Sequence, residues 1–261
     1  MPEFIEGSIL IPICDAIDTC RSVPAPLRNE SVATFSETEI SGMKSSALAL
    51  LLVGLCFGEA AAQAKDWPNT PFAEVKQAAE QGETEAQYYL GWRYYAGKGI
   101  PENFNLAVIW FRRAADQGFP DAQHVLGMLY IEGKDYRQAE AWFRRAAEQE
   151  FPDAQLKLGE MYLSGNGGLP QDYKLASIWF RKAAEQGNPT AQNNLGVMYE
   201  RGDGLPQDYK MSYVWYSVAA ANGYSEAVAF RNNAAKELSP AVLSDAQTLA
   251  GQYFEKYQPK Q

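Results

Sequence analysis

Few side chains in this 261-residue sequence are equipped for chemistry. His124 is the single histidine, and the three cysteines are Cys14, Cys20 and Cys56. One imidazole cannot form a His-based acid/base pair or gather a histidine cluster around a metal. Cys–His catalysis has the same shortage of partners, so neither a metal nor a cofactor is expected. Asp135, Asp172 and the helix-start carboxylate Asp208 each precede an apolar helical pattern. A carboxylate there accepts backbone N–H groups, which makes these residues N-caps and not a catalytic pair. The Gly-x-Gly pairs follow no strand and lead to no Lys-Ser/Thr, so they read as turns and not as phosphate cradles. Arg112-Arg113 and Arg144-Arg145 stand beside Glu and Asp, and are read as ion-paired residues on solvated helix faces. The formal charge is −9 with no basic block, which excludes the phosphate-neutralising surface that nucleic-acid binding requires.

The elements that position these residues are repeats. Ala86-Gln87 with Leu90-Gly91 and Tyr94 recurs as Ala122-Gln123 with Leu126-Gly127 and Tyr130, as Ala154-Gln155 with Leu158-Gly159 and Tyr162, and as Ala191-Gln192 with Leu195-Gly196 and Tyr199. The intervals between the Leu-Gly pairs are 36, 32 and 37 residues. Trp110-Phe111, Trp142-Phe143, Trp179-Phe180 and Trp215-Tyr216 keep step, each followed by Ala-Ala. GLPQDYK occurs twice, at Gly168–Lys174 and Gly204–Lys210. Within each unit the apolar spacing predicts two helices. Gly97, Gly133, Gly165 and Gly202 are expected to end the first helix in a left-handed conformation. Asn103, Asp172 and Asp208 are expected to cap the second. Ala107, Phe111, Ala114 and Ala115 form its buried stripe. Repeat two loses the Gly-Ile-Pro-Glu turn, and repeat three gains a residue at Asn166-Gly167-Gly168.

The ends differ. Phe72–Gln81 reads as the second helix of an incomplete preceding unit, and Glu226–Leu238 as a fifth first-helix. Ser239-Pro240 supplies an N-cap and an N1 proline for a last amphipathic helix carrying Ala246, Leu249, Ala250 and Tyr253. The segment 65–238 is thus the repeat array and 239–261 its C-terminal cap and tail. Residues 43–64 have a secretory signal layout: Met43-Lys44, eleven apolar residues from Ala47 to Phe57, then small residues before a cut after Ala62 or Ala64. Eleven residues fall short of the roughly 20 that span a bilayer, so no stable membrane insertion is expected after cleavage. Residues 1–42 read as an over-extended start, with translation beginning at Met43. As a genuine disordered extension they would keep the protein in the cytoplasm.

The pattern A-Q-x-x-L-G-x-x-Y-x-x-G-x-G-(L/I)-P-x-(D/N), then W-(F/Y)-x-x-A-A, resembles the Sel-one-like repeat family, a relative of tetratricopeptide repeats. The resemblance covers residues 72–238. It implies an all-α fold, a right-handed α/α superhelical solenoid of helix-turn-helix repeats, and an adaptor or scaffold role in protein complexes. The subgroup linked to penicillin binding carries a cysteine pair in each repeat, whereas no repeat here holds a cysteine.

One stripe of the first helices is left over from the core pattern: Tyr88/Trp92/Tyr95, His124/Met128/Ile131, Leu156/Glu160/Leu163 and Asn193/Val197/Glu200. It is aromatic at the N-terminal end and polar or acidic toward the C-terminal end. If it lines the concave face, its aromatics are interface anchors for a protein or peptide partner. If it packs against the adjacent first helix, it is part of the core. The expected partner-binding residues are Tyr88, Trp92, Tyr95, His124, Met128, Ile131, Leu156 and Glu160. The expected function is a non-enzymatic, periplasmic or secreted binding module. An enzyme acting on cell-wall or β-lactam-like substrates, and a structural spacer, are the other readings. The oligomeric state is not set by the sequence.

Overall fold

The computed structural model describes residues 65–165 and 168–259. The proposed signal segment and the residues before it lie outside the described residues, as do Asn166 and Gly167 of the repeat-three turn. Lys65 to Gln261 belong to one compact unit. Its described part holds eleven helices and no strand.

Helix α1 (Phe72–Glu80) precedes four helix pairs. These are α2 (Thr84–Ala96) with α3 (Phe104–Asp116), α4 (Pro120–Glu132) with α5 (Tyr136–Glu148), α6 (Pro152–Ser164) with α7 (Tyr173–Glu185), and α8 (Pro189–Arg201) with α9 (Tyr209–Ala221). Two further helices, α10 (Ala227–Lys236) and α11 (Pro240–Lys256), close the stack. Successive helices pack on one another from α1 through α10, and α11 packs on α9. This is an α/α solenoid.

The second helices start as the sequence predicts. Asn103, Asp172 and Asp208 accept the N–H of Leu106, Leu175 and Met211 at 2.9–3.0 Å, and Asp135 does the same for Gln138 at 3.2 Å. The C-terminal glycines follow the expectation except Gly133. Gly97, Gly165 and Gly202 are left-handed, but Gly133 has φ −74° and Lys134 takes the positive φ of 60° instead. Repeat two lacks the intervening turn, and after a first helix of the same length the left-handed residue falls one position later.

Within each pair the two helices approach through a glycine. A Cβ on Gly91, Gly127, Gly159 or Gly196 would lie 2.5–2.7 Å from the ring of Phe111, Phe143, Phe180 or Tyr216. The four rings are fully buried, as are Leu90, Leu126, Leu158 and Leu195. Small and large residues therefore interlock at fixed positions, as close packing demands.

The arginines do more than the sequence suggested. Arg144 pairs with Glu140 along its own helix as expected. Arg113, Arg145 and Lys182, however, lie over the rings of Trp110, Trp142 and Trp179 at 4.3–4.4 Å. Arg112, Arg144 and Arg181 reach the hydroxyls of Tyr130, Tyr162 and Tyr199 in the next first helix, at 3.4, 2.6 and 2.8 Å. Burial, followed by the hydrogen bond to Glu140, pushes the Tyr162 phenol up to about 12. A guanidinium can pack flat on an indole while its partner residue donates across the interface, which plain surface ion pairing would not achieve.

A second tie runs through the buried glutamines. Gln87, Gln123, Gln155 and Gln192 donate Nε2–H to the carbonyls of Ala79, Ala115, Ala147 and Ala184 at 3.0–3.2 Å. Those carbonyls lie in the last turn of the preceding helix, where backbone acceptors lack intrahelical donors. The Oε1 atoms then accept from Gln117, Gln149, Gln186 and Asn222 at 2.7–2.9 Å. The last rung also meets the segment after α11: the Tyr257 carbonyl accepts from Gln192 Nε2 at 3.0 Å and from Asn222 Nδ2 at 3.1 Å. The Tyr257 ring stacks on Trp215, where Val218 stands in place of the cation found in the other repeats.

Candidate binding site

The aromatic stripe of α2 lies at the open side of a cavity between α2 and α4. Tyr88, Trp92 and Tyr95 are spaced along one face of α2 and touch edge to face, with Tyr88–Trp92 centroids 6.2 Å apart and Trp92–Tyr95 5.4 Å. Phe111 of α3 supports Trp92 from beneath at 5.4 Å. Trp92 remains 37% exposed and Tyr95 41%, while Tyr88 is half-buried against Phe119. On the α4 side stand His124, Val125, Met128 and Leu129. The cavity measures about 380 Å³.

Its electrostatics are one-sided. Asp121 and Glu132 of α4 and Asp153 of α6 line it, and among the described residues no lysine or arginine does. Burial raises the Asp121 carboxyl above its ordinary value. His124 packs between Phe143 and Phe151, each 5.5 Å away, and its buried Nε2 has no hydrogen-bond partner among the described residues. Burial lowers its pKa, Asp153 and Asp121 work against that, and Lys157 adds to it.

Five of the eight expected residues line this cavity: Tyr88, Trp92, Tyr95, His124 and Met128. The other three sit elsewhere. Ile131 and Leu156 pack against the core of repeats two and three. Glu160 is ion-paired with Lys157 at 2.9 Å. Further along the stripe, Leu163 and Val197 line a separate cavity of about 230 Å³ with Tyr173, Arg201 and Asp203. Asn193 is buried, and Glu200 accepts the Tyr216 hydroxyl at 2.6 Å; burial, followed by that hydrogen bond, raises the phenol's pKa. The stripe thus lines the aromatic cavity at its N-terminal end, and beyond it divides between core packing, ion or hydrogen-bond pairs and the smaller cavity.

The sequence reading missed Phe151, Asp121, Asp153 and Glu132. A signal for the first three was present. Repeats two and three both begin Phe-Pro-Asp, at Phe119-Pro120-Asp121 and Phe151-Pro152-Asp153. The proline takes N1, the phenylalanine folds under the stripe of the preceding repeat, and the aspartate sits in the first turn beside the cavity.

The Sel1 repeat matches residues 84–119, 120–151, 152–188 and 189–224, one match for each helix pair. The chain belongs to the Sel1 repeat family. Repeats of this family serve generally as non-enzymatic protein-interaction modules. The secretory immunoglobulin A-binding protein EsiB of Escherichia coli is 43% identical over 71 residues, which is 27% of this chain and 14% of that protein. The crystal structure of a protective antigen of uropathogenic Escherichia coli, displaying an SLR fold, superposes with a TM-score of 0.67 at 35% identity. That match covers 81% of this chain and 46% of the antigen, so this Sel1 repeat chain spans less than half the length of either relative. A Sel1 repeat protein from Oxalobacter formigenes gives a TM-score of 0.58 at 28% identity, over 71% of this chain and 84% of that one.

Proposed function

We propose that this Sel1 repeat chain is a non-enzymatic binding module, exported to the periplasm or secreted, that holds a segment of a protein partner at the α2–α4 cavity. The observation that carries the reading is the cavity itself. Exposed Trp92 and Tyr95, backed by Phe111 and faced by Met128, form a rigid apolar recess at the surface. Rigid aromatics that stay exposed are favoured anchors, because they bury much area while losing little side-chain entropy. The sequence likeness to an immunoglobulin-binding protein supports protein recognition as the class of function, and leaves the partner of this chain its own. Export rests on the layout of residues 43–64. Among the described residues, no helix is long and apolar enough to cross a membrane.

The test is affinity capture with the native protein, followed by titration of the captured partner against wild type and Trp92→Ala. Losing such an anchor is expected to weaken binding by about thirtyfold or more at an unchanged melting temperature. A large fall in melting temperature with unchanged affinity of the folded fraction would make Trp92 a packing residue and overturn the reading. N-terminal sequencing of the same native material is expected to begin near Gln63. An intact Met1 on a cytoplasmic protein would refute export.

A further inference from the structure

The Tyr88–Trp92 wall separates two recesses of opposite charge. On the α4 side the aromatic cavity is edged by Asp121, Glu132 and Asp153. On the other side a smaller recess of about 280 Å³, sharing Tyr88 and Trp92, is edged by Arg93 and Lys98. Arg93 is already committed to the carbonyls of Pro68 and Thr70, at 3.0 and 2.8 Å. Lys157, near His124, is committed to Glu160. The carboxylates of the α4 side are less engaged: Asp153 accepts one hydrogen bond from Asn188 at 3.1 Å. Three carboxylates around an aromatic recess make a region of negative potential over rings whose faces are themselves negative. An acidic or purely apolar side chain entering there would gain nothing from those carboxylates and would have to desolvate them.

Building on the proposed binding role of this cavity, we infer that its occupant is a lysine or arginine side chain of the partner segment. The aliphatic stem lies along Trp92 and Met128, and the cationic head reaches Asp121 and Asp153. Long basic side chains suit such a site, because they bury their methylenes and keep the charge at the polar edge. The basic recess across the wall disfavours a run of positive charge, so the partner presents one basic residue and not a polybasic tract.

The experiment pans a random peptide library, displayed on phage, against the wild-type protein. Enriched peptides are then titrated against wild type, Trp92→Ala and the double variant Asp121→Asn/Asp153→Asn, with melting curves confirming that each variant is folded. Peptides whose binding depends on Trp92 are expected to share one Lys or Arg. Replacing that residue with Gln should weaken binding by about tenfold or more, and by far less against the Asp121→Asn/Asp153→Asn protein. Trp92-dependent peptides that lack a basic residue, or that bind the double variant as tightly as wild type, would overturn the inference and leave the groove in place. A library yielding no Trp92-dependent peptide would overturn the groove reading itself.

Discussion

Replacing Gln155 with methionine tests whether the glutamine ties hold successive repeats together. Methionine fills nearly the same volume but can neither donate nor accept as an amide does. Two bonds disappear: Gln155 Nε2 to the Ala147 carbonyl at 3.1 Å, and Gln186 Nε2 to Gln155 Oε1 at 2.9 Å. The Ala147 carbonyl keeps the Glu150 N–H at 3.1 Å, so it is not orphaned, and the Gln186 amide is half-buried and can turn toward water. At about 0.5–1.5 kcal/mol net for each bond, the loss is about 1–3 kcal/mol. In a domain of this size that corresponds to a melting temperature lower by about 2–12 °C. Gln186→Met breaks only the second bond but leaves the buried Gln155 Oε1 without a donor, and is expected to cost about 1–3 kcal/mol. Because that bond is lost in both single variants, the double variant should cost about 1 kcal/mol less than their sum. Urea titrations followed by circular dichroism give all four stabilities. A Gln155→Met midpoint equal to that of wild type, or strictly additive single variants, would refute the reasoning.

The remaining expectations concern packing and charge. Leu158→Ala, in the middle of the stack, should cost about 2–5 kcal/mol, whereas Lys157→Ala should cost no more than about 0.5 kcal/mol beyond its Glu160 pair; similar denaturation midpoints would reject the repeat register. Gly159→Ala should destabilise by about 1–3 kcal/mol despite the better helix propensity of alanine, since its Cβ would sit 2.5 Å from the Phe180 ring; an unchanged or raised midpoint would show that the ring can yield. His124 has a folded-state pKa below its ordinary 6.5, so the unfolded chain takes up the proton first as pH falls. Stability from this residue is therefore complete above about pH 6.5 and declines below it until the folded form also protonates. Between about pH 7.5 and about pH 5.5, wild type should lose more melting temperature than His124→Leu, and parallel profiles would place the imidazole in water.

The helix pairs, their caps and their core leucines were legible in the sequence because each repeats with a fixed local spacing. Gly133 was misjudged because its conformation depends on the length of the following turn, and that turn is missing in repeat two. The glutamine ties escaped notice for another reason. Their first bond spans eight residues and their second about thirty, and neither separation leaves a trace in apolar periodicity. The stripe was legible as a pattern, but its openness was not. Whether a first-helix residue meets a cavity or a neighbour depends on the side chains of the next repeat, as Leu156 and Trp92 show on either side of that divide.

The final rung differs from the others in what closes it. Its extra acceptor is the main-chain carbonyl of Tyr257, a group that nearly every residue type could supply. The rung therefore measures distance along the chain and is indifferent to much of the spelling. A substitution at Tyr257 forfeits the ring on Trp215 but leaves the carbonyl where it was. One residue inserted into α11 swings everything beyond it by about 100° and carries the carbonyl out of reach of both amides. The neighbourhood of Gly187 enforces the same rule sterically, because a Cβ there would meet the Pro259 backbone at 2.5 Å. In this corner of the molecule reading frame matters more than vocabulary, and α11 acts as a ruler cut to fit the stack it ends.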